Sequence, residues 1–254
     1  MIFDSHAHYD DKQFDEDRET LLASMKENDV GLILNASDTV HTSKASINLA
    51  NKYDFIYAAV GIHPHHAKNV TDDVLREIEI LSREKKVVAI GEIGLDYYYD
   101  NSPRDTQKYW FKKQMQLANK LRLPVIIHDG DAHGDCMDIL KKDPPKLGGI
   151  LHSFSGSTEM AKEVLALGMD ISISGPITYK NNRKAVEVVA EIPIEHLLIE
   201  TDSPYLPPEP HRGERNSSLY VKYVAQRIAE IKNMSFEEVC RITCENAKRV
   251  FRIK

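Results

Sequence analysis

Val87-Val88-Ala89-Ile90-Gly91-Glu92-Ile93-Gly94-Leu95-Asp96 opens as an unbroken apolar run and closes on acids set between glycines. An apolar run without polar alternation suits a strand buried on both faces, as in a parallel sheet. The same grammar recurs along the chain. Strands are predicted at residues 2–6, 30–36, 55–61, 87–92, 124–128, 148–152, 169–174 and 197–201, several of them flanked by Gly or Pro. Helical patterns fill the gaps near 15–28, 42–52, 71–85, 104–121, 132–142, 157–167, 181–191 and 217–232. A last helix is predicted over 236–251, where Ser235 and Glu238 are spaced as a capping box. Eight strand–helix units in a chain of 254 residues match a (β/α)₈ TIM barrel, with an open doubly wound sheet as the alternative. No linker or composition shift divides residues 1–254, so one barrel domain is expected.

Composition narrows the functional classes. The chain is 42% hydrophobic with a net charge of −6, which disfavours an extended electrostatic footprint on long nucleic acid. No run of about 18 apolar residues suggests a membrane span. Asp4, Asp10 and Asp11 stand where a signal peptide would carry a basic flank. Three cysteines, Cys136, Cys240 and Cys244, are too few for a disulfide framework. Cys240 and Cys244, at i,i+4 on a predicted helix, read as buried small residues, and the low count suggests a reducing cytoplasm. No obligate protein partner is evident.

The reactive residues gather at the carboxyl ends of the predicted strands, where barrels of this type build their sites. Ile2-Phe3-Asp4-Ser5-His6-Ala7-His8 begins as a strand and delivers two imidazoles one residue apart. Alternation places Asp4, His6 and His8 on one face. Strand 3 ends in Gly61-Ile62-His63-Pro64-His65-His66 and strand 4 in Glu92 and Asp96. Strand 5 ends in His128, strand 6 in His152 and strand 8 in Glu200-Thr201-Asp202. Each residue alone has a bland explanation: a packed histidine, an ion-pair partner, a helix cap. Together they would converge on one mouth, where inward charges and imidazoles are costly unless they pair or bind metal.

Two divalent ions suit this set. His6, His8 and Asp202 would hold one, His128 and His152 the other, and Glu92 would bridge them at the ~3.5–4 Å typical of such pairs. Gly91 and Gly94 leave room for the backbone to bring Glu92 in. Glu92 and Asp202 are the catalytic candidates, with Asp202 also placed to take a proton from the attacking water. Zn, Mn, Ni, Co and Mg all remain open on these ligands.

The motifs Asp4-Ser5-His6-Ala7-His8, Gly61-Ile62-His63-Pro64-His65, Gly91-Glu92-Ile93-Gly94-Leu95-Asp96, His152-Ser153-Phe154-Ser155-Gly156 and Glu200-Thr201-Asp202-Ser203-Pro204-Tyr205-Leu206 occur in this order along the chain. Together they resemble the TatD-type metal-dependent deoxyribonucleases of the amidohydrolase superfamily. Arg212-Gly213-Glu214-Arg215-Asn216 also fits. The resemblance implies a (β/α)₈ barrel and hydrolysis of phosphodiester bonds in DNA from an end, of the 3′–5′ exonuclease type. Its metal positions fall on His6, His8, Glu92, His128, His152 and Asp202. One departure stands out: in His128-Asp129-Gly130-Asp131-Ala132, Gly130 occupies the place where the family usually carries Arg.

A phosphodiester substrate calls for donors near the metals. His63, His65, Arg212 and Arg215 are the substrate-binding candidates, with Lys180 and Arg183 behind them. Tyr97 and Tyr98 could stack on a terminal base, with core packing as the alternative for either. DNA ends, single-stranded by preference, are the expected partner. Two other classes stay open: an ester or amide hydrolase acting on a substrate such as D-aminoacyl-tRNA, and a non-catalytic binder.

Overall fold

The computed structural model describes residues 1–254. Eight parallel strands follow one another round a barrel in sequence order. They are β1 Ile2–Ala7, β2 Val30–Asn35, β3 Ile56–Val60, β4 Val87–Asp96, β5 Val125–Gly130, β6 Gly149–Leu151, β7 Asp170–Ile173 and β8 Leu197–Ile199. The helices are α1 Arg18–Ala23, α2 Val40–Lys52, α3 Asp72–Leu81, α4 Arg104–Leu121, α5 His133–Lys142, α6 Thr158–Ala166, α7 Arg183–Glu191, α8 Val221–Lys232 and α9 Phe236–Phe251. The barrel expected from the sequence is therefore what forms, and the open-sheet alternative is not. Closure between β1 and the segment after β8 is made by an Ala7–Ser203 bridge, by the Asp202 amide on the His6 carbonyl at 2.9 Å and by the His8 amide on the Ser203 carbonyl at 2.8 Å.

Element boundaries differ from the sequence reading where local chemistry intervenes. The helix expected over 15–28 shrinks to α1, flanked by single 3₁₀ turns at Lys12–Phe14 and Lys26–Asn28. α2 starts two residues early because Thr39 and Thr42 cap each other reciprocally. At α9 the Ser235 hydroxyl accepts the Glu238 amide at 3.2 Å, one half of the box read from the sequence. β4 runs on to Asp96, four residues past expectation, with a register shift between Ile90 and Ile93.

Packing divides into two apolar regions. The larger fills the space between the strands and the surrounding helices. The smaller gathers Phe3, Leu34, Ala59, Ala89, Ile126, Ile150 and Leu198, one from nearly every strand, against Ala247, Val250 and Phe251 of α9. α9 thus sits at the amino end of the barrel, where Asn246 donates to the Leu197 carbonyl at the start of β8 and Arg249 reaches Asp170 at the start of β7. The polar residues are left to the opposite, carboxyl end. No helix is long and apolar enough to cross a membrane.

Candidate metal centre

Glu92 is the hub of the carboxyl-end mouth. It is 2% exposed, and its two oxygens face different pairs of rings. Oε2 lies 3.2 Å from His6 Nε2 and 3.6 Å from His8 Nε2. Oε1 lies 2.8 Å from both His128 Nδ1 and His152 Nε2. Asp202 Oδ1 completes the first group at 3.5 Å from His6 Nε2 and 3.4 Å from His8 Nε2. All six residues singled out from the sequence as metal positions are brought together.

Local backbone explains how. The register shift in β4 turns Glu92 inward, and the strand must run close to its neighbour there. A Cβ on Gly91 would stand 2.6 Å from Ile126 Cβ, and one on Gly94 would overlap the His128 carbonyl oxygen. Asp202 adopts φ +57°, a region where Asp is more at home than most residues, and its amide is tied to β1 through His6. The alternation argument fails at Asp4. A register shift between Asp4 and Ala7 turns its carboxylate away from the imidazoles to accept from the Thr201 amide (2.9 Å), the Thr201 hydroxyl (2.6 Å) and the Ser218 hydroxyl (2.5 Å). Burial pushes the Asp4 carboxyl up to about 7, against those bonds.

A further ring of groups orients the imidazoles. His128 Nε2 meets Asp96 Oδ2 at 2.8 Å, so its Nδ1 is the atom turned to Glu92. His152 Nδ1 meets Glu200 Oε1 at 3.2 Å, which also accepts the Ser153 amide at 2.8 Å, while the Ser172 hydroxyl donates to the other Glu200 oxygen. Such carboxylate–histidine pairs fix the tautomer of a metal-ligating ring. The sequence reading noted Asp96 and Glu200 at strand ends but gave them no role; an acid next to a ligand at a strand end was the available signal.

Charges follow the geometry. Burial disfavours the His8 and His128 imidazolium ions. For His8, however, the Asp202 hydrogen bond and the Asp38 charge prevail and raise it to about 10. For His128, bonds to Asp96 and Glu92 raise it to about 9. Glu92, although buried, is held well below the usual carboxylate range by the His152 and His6 charges around it. The chemistry of the donor set fits divalent ions. His6 Nε2 faces His8 Nε2 at 3.1 Å, and His128 Nδ1 faces His152 Nε2 at 3.1 Å. Each facing pair of nitrogens accommodates one proton between them or a shared cation, and each lies beside one Glu92 oxygen.

The substrate-binding candidates separate into two groups. His63, 6% exposed, reaches the centre: its Nε2 is 3.5 Å from Glu92 Oε1. Its Nδ1 accepts the His65 amide at 3.1 Å, which places the ring hydrogen on Nε2 and makes His63 a donor toward the mouth. Burial and the His128 charge keep it neutral, well below the ordinary imidazole value. His65 Nε2 lies 3.1 Å from Asp96 Oδ2, behind His128. The arginines do not reach the metal residues. Arg212 is exposed, stacked 4.3 Å over the Tyr179 ring. Arg215 is spent on a two-pronged pair with Asp17, at 2.8 and 2.6 Å, so the β8–α8 loop is pinned to the start of α1. Lys180 and Arg183 line a separate surface cleft with Glu187 and Glu230.

Of the two tyrosines, Tyr97 follows the packing alternative, partly buried against the core. Tyr97 donates to Asp135 at 2.6 Å with Arg104 over its ring, and Tyr98 is exposed beside Tyr99 without lining the mouth. Tyr99 and Tyr205 line the mouth instead, Tyr99 edge-on to His65 and Tyr205 edge-on to His8. Gly130 has a structural account. Any Cβ there would stand 2.6 Å from Asp96 Oδ2 and 3.0 Å from His128 Nε2, the pair that orients His128. Cys240 and Cys244 are free and buried, as expected, and Cys136 is buried too.

Comparison with known proteins agrees with this centre. The family model described as TatD related DNase matches residues 3–252. The uncharacterized metal-dependent hydrolase YabD of Bacillus subtilis is 48% identical over the whole of both chains. Metal-dependent hydrolase YcfH of Escherichia coli K12 is 34% identical over all of this chain and 96% of its own. The crystal structure of YjjV, a TatD homologue from Escherichia coli K12, superimposes with a TM-score of 0.95 at 30% identity, covering 100% of this chain and 98% of that one. The chain belongs to the TatD-related DNase family of metal-dependent hydrolases.

Proposed function

We propose that this hydrolase is a two-metal phosphodiesterase that trims DNA from an end, in the 3′–5′ direction and with single strands preferred. The observation that carries the reading is the division of Glu92: one oxygen beside His6 and His8, the other beside His128 and His152. Divided in this way, Glu92 would hold one ion through each oxygen, with Asp202 closing the first group.

Two divalent cations, when bound, would neutralise charge on the phosphoryl oxygens and lower the pKa of the attacking water. The chain's own residues supply the rest. Asp202 lies at the edge of the first group and accepts the proton of that water. Neutral His63 offers its Nε2 hydrogen to a phosphoryl oxygen, a bond that strengthens as charge develops there. Asp96 and Glu200 hold the His128 and His152 rings in register. The recessed position of the centre at the barrel mouth, together with the chain's overall net charge of −6, favours a strand end over the middle of a duplex.

The decisive experiment incubates purified, metal-loaded protein with end-labelled single- and double-stranded DNA, RNA and D-aminoacyl-tRNA. Stepwise shortening of single-stranded DNA from its 3′ end supports the reading. Release of the amino acid with DNA left intact assigns the same centre to an ester instead.

A further inference from the structure

At the amino end of the barrel, opposite the mouth, a cavity of about 630 Å³ opens between α9 and the start of β1. Three sulfur-bearing side chains line it: Met1, Cys240 and Cys244. The two cysteines are 4% and 5% exposed, and both are free. They lie four residues apart on α9, an unbroken helix, so both project from one face. Side chains spaced in this way have Cβ atoms about 5–6 Å apart, whereas a disulfide needs about 3.5–4.5 Å. The pair therefore cannot close on itself while α9 stands. A cation held at the ~2.3 Å of a metal–thiolate bond spans up to about 4.6 Å between two sulfurs, a gap that two Cβ–Sγ bonds turned toward each other can meet. Met1 reaches the cavity because residue 31 is glycine: a Cβ there would overlap Met1 Cγ and Sδ. The sequence reading took the cysteines as packing residues because nothing in the chain announces the cavity they face.

We propose that Cys240, Cys244 and Met1 form a three-sulfur site for a soft monovalent cation, Cu(I), separate from the hydrolytic centre. Donor chemistry selects the ion. Thiolates and a thioether suit Cu(I), whereas a structural zinc takes four ligands in a tetrahedron. The groups of histidines and acids close enough to share an ion all lie at the mouth, and none includes a cysteine. Glu237 and Glu245, also on the cavity wall, therefore do not complete a four-coordinate set with the pair. Burial pushes the Cys240 thiol up to about 11 and raises Cys244 as well. Both are protonated and poorly reactive until a cation displaces the protons. One Cu(I) enters, two thiol protons leave to solvent, and the complex carries one net negative charge. Lys248, one helical turn beyond Cys244 and also on the cavity wall, favours the Cys244 thiolate and offsets that charge.

The test titrates reduced, manganese-loaded protein with Cu(I) against a coloured Cu(I) chelator, without oxygen, and reads the donors by X-ray absorption at the copper edge. Wild type should bind one Cu(I) per chain, with three sulfurs and no imidazole in its spectrum. Losing an outer partner of a metal ligand costs about 10–100-fold in affinity, so Cys240→Ala and Cys244→Ala, which remove a ligand outright, should each lose at least about 100-fold. Gly31→Ala should push the flexible Met1 side chain aside, lower the affinity and leave two sulfurs on copper. Cys136→Ala, which removes a buried thiol outside the cavity, should bind Cu(I) like wild type. Melting temperature and manganese content, recorded for each variant, separate loss of a ligand from loss of the fold. Imidazole donors in the wild-type spectrum would place copper at the mouth and overturn the inference without recourse to any variant. Wild-type affinity in Cys240→Ala or Cys244→Ala would overturn it too, as would three sulfurs still on copper in Gly31→Ala.

Discussion

Replacing Glu92 by glutamine probes the bridging geometry most directly. The amide keeps the volume and one oxygen but converts the other oxygen to an NH₂ group. That group presents donors where His6 and His8 converge at 3.2 and 3.6 Å, or where His128 and His152 converge at 2.8 Å each. Whichever way the amide turns, one ion loses its Glu92 oxygen and the pair loses a full negative charge. Removing one partner from a buried, compensated charge cluster costs about 3–5 kcal/mol. At about 1.4 kcal/mol per tenfold, the weaker ion should lose at least about 10²-fold in affinity. Elemental analysis after dialysis, with a manganese titration of wild type, Glu92→Gln and Asp202→Asn, reads the effect. Glu92→Gln should retain at most one ion per chain, and Asp202→Asn should weaken only one. Two ions held at wild-type affinity by Glu92→Gln would refute the bridge.

Asp202→Asn separates ligand from base: its rate on single-stranded DNA should stay about 10²–10⁴-fold low even at saturating metal. Full recovery in excess metal would remove Asp202 as the proton acceptor. Because His8 and His128 are raised to about 10 and 9, both hold protons at neutral pH without metal, and a divalent ion must expel them. Metal affinity should therefore strengthen as pH rises toward 9, with proton release visible by calorimetry in buffers of different ionisation enthalpy; pH-independent binding would contradict it. The sign reverses for the metal-free protein, where these raised imidazoles stabilise the fold fully below their unfolded pKa of about 6.5. That contribution fades as pH rises through about 9 to about 10, so the melting temperature of chelated protein should fall across that window, and a flat profile would count against it. Arg215→Ala should cost up to about 1 kcal/mol of stability, since its Asp17 pair is partly exposed and screened, and should leave KM for DNA unchanged. A raised KM with an unaltered melting temperature would return Arg215 to the substrate.

The amino-acid sequence by itself determined the barrel and the identity of the residues that gather at the candidate metal centre. Both are carried by local patterns: apolar runs punctuated by glycine, helical periodicity between them, and a histidine or acid at the carboxyl end of nearly every strand. Those ends must meet once eight parallel strands close. Tertiary structure alone decided which atom faces which. The register shifts in β1 and β4 send Asp4 toward Thr201 and Ser218 while Glu92 turns inward, and a bulge has no period to read. Arg215 pairs with Asp17 across 198 residues, and Tyr205 and Tyr99 come to the mouth in place of Tyr97 and Tyr98. Side-chain partners chosen from distant loops depend on closure geometry, and neighbours in the chain carry no imprint of them.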